Sequence, residues 1–331
     1  MTFLEQICAR AKAAKKTIAV PEADNPVMMQ AACSIQADGV ADILFVGDPQ
    51  KIRAVAAESG LDITGIPIAD NTDAAFCEAL ADRFTALPDC MLGRKSVLRR
   101  FASPLYMALA LEAAGDCDIT FAGLDATTGE VVMAATAMIG LKEGVQTASC
   151  FFACEFDEFQ GQKDVFLGMS DGGVCVEPTA EQLAGIAIAS CDTYRALKDE
   201  EARCAMLSFS TDGSGAGPQV DKVRAARDLA KQIRPDLLID GEFQSDAALV
   251  PRVAAKKVRR DSDVAGRANV LIFPDIASCN IGSKLVQLTA NCRTYGPLLQ
   301  GFRLPVCDCS RSDTSERIYT NMAFSVVLAQ K

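Results

Sequence analysis

Short β-rich runs alternate with turns and longer helical patterns along most of this chain, and that rhythm limits the folds open to it. Residues 17–20 run into Pro21 and then a helix opened by Asn25-Pro26, where Asn caps free N–H groups and Pro suits the first helical position. Residues 43–46 lead through Gly47-Asp48-Pro49 to a helix that stops at Gly60, and 119–122 pass through Asp125-Ala126-Thr127-Thr128 into a helical pattern over 129–139. Beyond residue 178 the spacing predicts helix 179–197, strand 204–209, helix 219–233, strand 237–239, a helix near 246–255, strand 270–273 and helix 281–288. A final amphipathic helix is expected over 314–328, apolar at Ile318, Met322 and Val326. Residues 146–176 differ, with few helical repeats and aromatic-rich pieces, and read as added strands at a domain junction. Alternation of this kind builds mainly parallel sheets with helices on both faces.

A length of 331 residues, half of them hydrophobic, is enough for two cores. No run of about 18 apolar residues and no leader pattern is present, so a cytoplasmic protein is expected, with no membrane partner. The 14 cysteines are scattered and often lie in apolar runs, which favours reduced thiols over a disulfide framework. Histidine is absent, which removes Ser-His-Asp and Cys-His catalysis and most zinc sites. The Cys307/Cys309 and Cys150/Cys154 spacings lack a second ligand pair, so no metal is expected. A net charge of −10 argues against nucleic acid. A small anion needs only a few local donors. The clusters Arg94-Lys95/Arg99-Arg100 and Lys256-Lys257/Arg259-Arg260 read as solvated surface.

Ligands of open parallel sheets bind beyond the carboxyl ends of strands, which singles out three loops. Residues 208–217, with Ser210, Thr211, Gly213 and Ser214, offer hydroxyls and backbone N–H groups for a phosphate, or simply form a Gly-rich turn. Residues 275–282, with Ser278 and Asn280, open a helix, and such residues also cap helices routinely. Residues 305–318 carry Ser310-Arg311 just ahead of the last helix. There Asp313-Thr314-Ser315-Glu316 fits a capping box in which Glu316 bonds back to the helix start.

Several runs in register resemble the phosphate acetyltransferase (phosphotransacetylase) family and its phosphate butyryltransferase relatives. They are Pro178-Thr179-Ala180-Glu181, Ala205-Met206-Leu207-Ser208-Phe209-Ser210-Thr211 with Gly213-Ser214, residues 235–244 and 265–275, Gly296-Pro297-Leu298-Leu299-Gln300-Gly301, and Ser310-Arg311. The resemblance implies two α/β domains, each an α/β/α sandwich with a mainly parallel sheet, in an isocitrate/isopropylmalate dehydrogenase-like architecture. Residues 1–143 plus 302–331 would form the first domain and 144–301 the second, with the active site in the cleft between them, in a homodimer. It also implies transfer of a short acyl group, acetyl foremost, between phosphate and coenzyme A, with CoA as substrate and no bound cofactor. Ser310, Arg311 and Glu316 are the expected catalytic residues. Thr127, Thr128, Ser210, Thr211, Gly213, Ser214, Asn280 and Arg317 are expected to contact CoA or phosphate.

The chain departs from the family where chemistry is concentrated. Ser-Arg is usually followed by Gly and, six residues after the Arg, by an acid that deprotonates the CoA thiol; here these positions are Ser312 and Arg317. Glu316 is one residue early, about 100° round a helix, and Asp313 is a second substitute. The family's Gly-Ala-x-His-Ser-Thr and later Arg correspond to 123–128 and Met133, and a common Lys is replaced by Asp212. A thiol of pKa about 8.5 is already roughly 3% ionised at pH 7, so losing the base should cost about one to two powers of ten. An active enzyme, slower or with altered acyl preference, is therefore expected. The alternatives are a catalytically impaired CoA- or phosphate-binding homologue and a propionyl or butyryl transferase. A dehydrogenase is disfavoured by the lack of a metal-binding acid cluster and of a dinucleotide fingerprint.

Overall fold

The computed structural model describes residues 2–330. In chain order the elements are α1 (Phe3–Ala14), β1 (Thr17–Val20), α2 (Pro26–Ala37), β2 (Asp42–Val46), α3 (Pro49–Ser59), β3 (Ile68–Ala69), α4 (Ala74–Thr85), α5 (Arg94–Arg100), α6 (Pro104–Ala113), β4 (Ile119–Phe121), α7 (Thr128–Met138), β5 (Ser149–Phe159) and β6 (Gln162–Ser170). There follow α8 (Ala180–Lys198), β7 (Arg203–Leu207), α9 (Pro218–Ile233), β8 (Leu238–Phe243), α10 (Ser245–Leu249), α11 (Pro251–Lys257), β9 (Val270–Ile272), α12 (Ile276–Thr289), β10 (Arg293–Gln300), β11 (Val306–Cys307) and α13 (Ser315–Leu328). Two compact units result, one running to Gly140 and resuming at Phe302, the other Leu141–Gly301.

The first unit is built on a parallel sheet in the order β11-β4-β1-β2-β3. Ile18, Ala19 and Val20 are fully buried, as expected of a strand covered on both faces. Asn25 and Asp48 cap α2 and α3 by accepting from Val27 N and Gln50 N, and Gly60 closes α3 in the left-handed conformation. The chain lays down β1, β2 and β3 in one direction, then crosses to the other side of β1 for β4. The switch point, and with it the crevice such sheets offer to ligands, lies between β1 and β4. α6 escaped the periodicity because Leu105 and Met107–Leu111 are all buried, and a helix that is apolar all round has no stripe. The same helix buries Glu112, whose two carboxylate oxygens meet no well-formed hydrogen-bond partner among the described residues; burial holds its pKa well above the usual range against a weaker pull from Thr120.

The second unit carries a six-stranded sheet in the order β10-β5-β6-β9-β7-β8. β10, β5 and β6 pair antiparallel, whereas β6, β9, β7 and β8 run parallel. The long β5-β6 hairpin supplies the added strands expected over 146–176. β10 is not among the expected elements; the register shift between Tyr295 and Leu298 lets the strand carry Pro297, which donates nothing to the ladder. The single helix expected near 246–255 is two, broken where Pro251 cannot continue α10 and instead opens α11. α12 begins at Ile276 rather than 281, capped by Asp275, which accepts from Ser278 N. Ser278 and Asn280 therefore lie inside the helix.

Candidate active site

The loop leaving β11 makes a tight turn: Asp313 N donates to Ser310 O at 2.8 Å, and Ser310 N donates to the Asp313 carboxylate at 3.0 Å. That turn leaves Arg311 exposed, and its guanidinium forms no ion pair among the described residues. Its charge is felt at Glu130, whose carboxyl sits below the usual range first through hydrogen bonds from Thr127 and then through Arg311. Glu130 in turn lines a cavity of about 650 Å³ shared with Glu22, Asp48, Lys51, Tyr106 and Met133. Its walls come from the loops after β1, β2, β3 and β4. An unpaired cation thus stands beside the hollow at the carboxyl ends of the sheet.

The crevice at the switch point is shaped by two buried acids. Glu22 accepts from the backbone N–H groups of Gly123, Leu124 and Ala126 at 3.1, 2.8 and 2.9 Å, which fixes the loop between β4 and α7. Thr127 caps α7 in a box with Glu130, so its hydroxyl belongs to the helix start. Thr128, one residue on, donates its hydroxyl proton to Asp308 Oδ2 at 2.6 Å. Asp308 is fully buried, and its other oxygen has no hydrogen-bond partner among the described residues. Burial is the main force pushing this carboxyl up to about 7, against the hydrogen bonds from Thr128 and the Cys309 backbone N–H, with the negative charges of Glu22 and Asp313 adding to the rise. Position 123 must be glycine: its φ is +108°, and a Cβ would fall 1.9 Å from Asp308 Oδ1.

At the start of α13 the cap is Thr314, not Asp313; its side chain accepts from Arg317 N. Glu316 is therefore not the reciprocal member of a capping box. It is exposed, and its carboxylate accepts from the Thr314 hydroxyl at 3.3 Å rather than meeting Ser310 or Arg311. Arg317 pairs with Asp313 at 3.0 Å. Ser310 and Ser312 share a hydroxyl contact at 3.1 Å.

In the second unit, loop 208–217 does cradle an anion, and that anion belongs to the chain. Glu242, on β8, accepts from Ser210 Oγ at 2.8 Å and Gly213 N at 3.0 Å, and pairs with Arg224 through two bonds of 2.7 and 2.9 Å. These bonds outweigh its burial and hold it down at about 2. Thr211 N donates to Ser214 Oγ, and Thr211 Oγ1 accepts from Gln244 N. The expectation that Ser210 and Gly213 present free donors is corrected, because an internal carboxylate already occupies them. Asn280 donates to Gly172 O at 3.0 Å, tying α12 to the loop after β6.

Neither Asp308 nor Glu242 stands out from the sequence. For Asp308 the available signal was an acid at the carboxyl end of a two-residue strand, just ahead of Ser-Arg. For Glu242 there was none in spacing alone, since Arg224 lies on a different element. Among the described residues no group of three His, Cys, Asp or Glu side chains is arranged to hold a metal ion, and no helix is long and apolar enough to cross a membrane.

The family model described as Phosphate acetyl/butaryl transferase matches residues 2–326. A phosphate acetyltransferase of Clostridium acetobutylicum is 39% identical over 333 residues, covering 100% of this chain and 99% of that protein. The crystal structure of a phosphotransacetylase from Streptococcus pyogenes is similar with a TM-score of 0.91 at 30% identity, over 99% of this chain and 98% of that one. A putative 4-hydroxythreonine-4-phosphate dehydrogenase from Salmonella typhimurium is similar in fold alone, with a TM-score of 0.54 at 11% identity over 95% and 99% of the two chains.

Proposed function

This chain belongs to the phosphate acetyl/butaryl transferase family, and from that premise we propose that Ser310 and Arg311 hold the acyl phosphate while acetyl passes between phosphate and coenzyme A. The CoA sulfur attacks the carbonyl carbon, a C–S bond forms, the C–O bond to phosphate breaks, and phosphate leaves with the bonding pair. A guanidinium matches phosphate oxygens with paired donors and also stabilises charge growing on the carbonyl oxygen. The observation that carries this reading is the exposed, unpaired Arg311 beside the Glu130-lined cavity. Thr128 and Arg317 are the flanking contacts we assign to the substrates, the Thr127 hydroxyl being held by Glu130. CoA is a substrate here, not a resident cofactor.

Purified protein given CoA and acetyl, propionyl or butyryl phosphate should form thioester fastest with acetyl. Thermal stabilisation by CoA with no turnover on any of the three would instead identify a non-catalytic binder.

We also assign the chain to a homodimer formed through the second unit. Ile281, Leu285 and Leu288 are exposed on α12 at spacings of four and three, hence on one face, and Lys284 is the helix's one charged residue. Light scattering should give twice the chain mass, and Leu288→Glu should give the monomer; a monomeric parent at micromolar concentration defeats the assignment. All 14 cysteines are free, which supports a reducing compartment such as the cytoplasm.

A further inference from the structure

The reaction needs somewhere to put the thiol proton, and the family's usual acid is replaced here by Arg317. The other acids around Arg311 are engaged. Glu22 accepts three backbone N–H groups, Glu130 is bound by Thr127, and Asp125 accepts from the Asn25 amide at 2.9 Å. Asp313 receives Ser310 N and pairs with Arg317, and Glu316 receives the Thr314 hydroxyl. Among the described residues, Asp308 alone of this group keeps one buried oxygen without a partner.

Resting on the acyltransfer reading above, we propose that Asp308 takes the place of the missing acid by working through Thr128. A hydroxyl has one proton to donate, and Thr128 gives it to Asp308 at 2.6 Å. Thr128 as a residue is half-buried, and what its oxygen then has left for a substrate is a lone pair, an acceptor suited to an S–H group. As sulfur attacks, the thiol proton passes to Thr128 Oγ1 while Thr128's own proton passes to Asp308 Oδ2; the sulfur keeps its electron pair for the new C–S bond. With Asp308 protonated, the same hydroxyl is free to donate outward, which is what a departing thiolate needs in the reverse reaction. One proton thus switches Thr128 between acceptor and donor, and Asp308 is a positioning residue that never touches substrate.

The surroundings suit this part. Glu22 from the loop after β1 and Asp313 on its own loop press negative charge on Asp308, Cys309 beside it is a buried thiol, and Thr128 comes from α7. Burial above all, and then the charges of Glu22 and Asp313, outweigh the hydrogen bonds from Thr128 and the Cys309 backbone N–H and place its titration at about 7, close to where a general base is most effective. The base must be ionised to accept, so activity falls as pH drops below that value.

The test compares kcat/KM against pH for the parent, Asp308→Asn, Thr128→Val and Thr128→Ser. Asp308→Asn keeps an acceptor for the Thr128 hydroxyl and cannot take a proton. It should lose roughly tenfold to a hundredfold near pH 7, less than a typical general base because a thiol is itself a fair acid. Its remaining activity should climb with the thiolate fraction up to about pH 8.5, whereas the parent should rise through about 7. Thr128→Val should lose about as much, with no further loss in the double variant, and Thr128→Ser should recover most of it. A parent with no turnover on any acyl phosphate sinks the acyltransfer reading and this inference together. An active parent whose pH profile is unchanged by Asp308→Asn, or a Thr128→Val variant that matches the parent, sinks this inference alone. Matching melting temperatures identify a loss as chemical, and a variant that melts early with the parent's pH profile shows a merely structural Asp308.

Discussion

Arg311→Ala is expected to lower kcat/KM for acetyl phosphate by roughly 10²–10³, the size seen when one preorganised donor to a developing oxyanion is removed. The fold should not suffer. Arg311 is exposed and unpaired among the described residues, and surface changes away from special features stay within about 0.5 kcal/mol. Arg311→Lys separates charge from shape: the ammonium keeps the attraction but not the planar fork, so it should recover only part of the loss. KM for acetyl phosphate and kcat should both move, while KM for CoA moves little, because the guanidinium is assigned to the phosphate. Steady-state kinetics with each substrate varied in turn measures all three. A loss smaller than about threefold in the alanine variant would leave Arg311 without a part in the reaction.

What could be read from the residues divides along a physical line. Strand β1, helix α2 and the Gly60 stop came through because their signals are local: β-branched runs, Asn-Pro at a helix start, Gly at its end. α6 and β10 did not, the first because burial on all sides erases periodicity, the second because a bulge hides a strand behind Gly-Pro. The same holds at the candidate site. Ser310-Arg311 stood out as a motif, while Asp308 gains meaning only once β11 lies beside β4 and brings it under Thr128. Loop 208–217 shows the opposite error: hydroxyls and glycines made it look open, and only tertiary structure reveals the Glu242 carboxylate inside it.

Glu242→Gln should destabilise the protein by about 3 kcal/mol near neutral pH, and the pH dependence carries the cause. In the folded chain Glu242 titrates at about 2, against an ordinary value of 4.5. A carboxyl depressed on folding contributes stability that is fully present above the unfolded value and is lost as pH falls through the folded one. Parent stability should therefore decline from about pH 4.5 downward, and the glutamine variant should lose that part of the slope. The amide oxygen can still accept from Ser210 and Gly213, so the loss is confined to the Arg224 side, where the charge and the acceptor for Arg224 Nε go together. Glu112 gives the opposite sign. Burial raises its pKa, so its contribution is complete below the ordinary value of 4.5 and disappears as pH climbs through the folded one. Glu112→Gln, isosteric and unable to ionise, should leave acid stability alone and raise alkaline stability. Urea midpoints from about pH 3 to about pH 9 distinguish the two. If both variants merely shift the curve down at every pH, neither carboxyl is held away from its ordinary titration, and the ion pair that closes loop 208–217 is not what holds it shut.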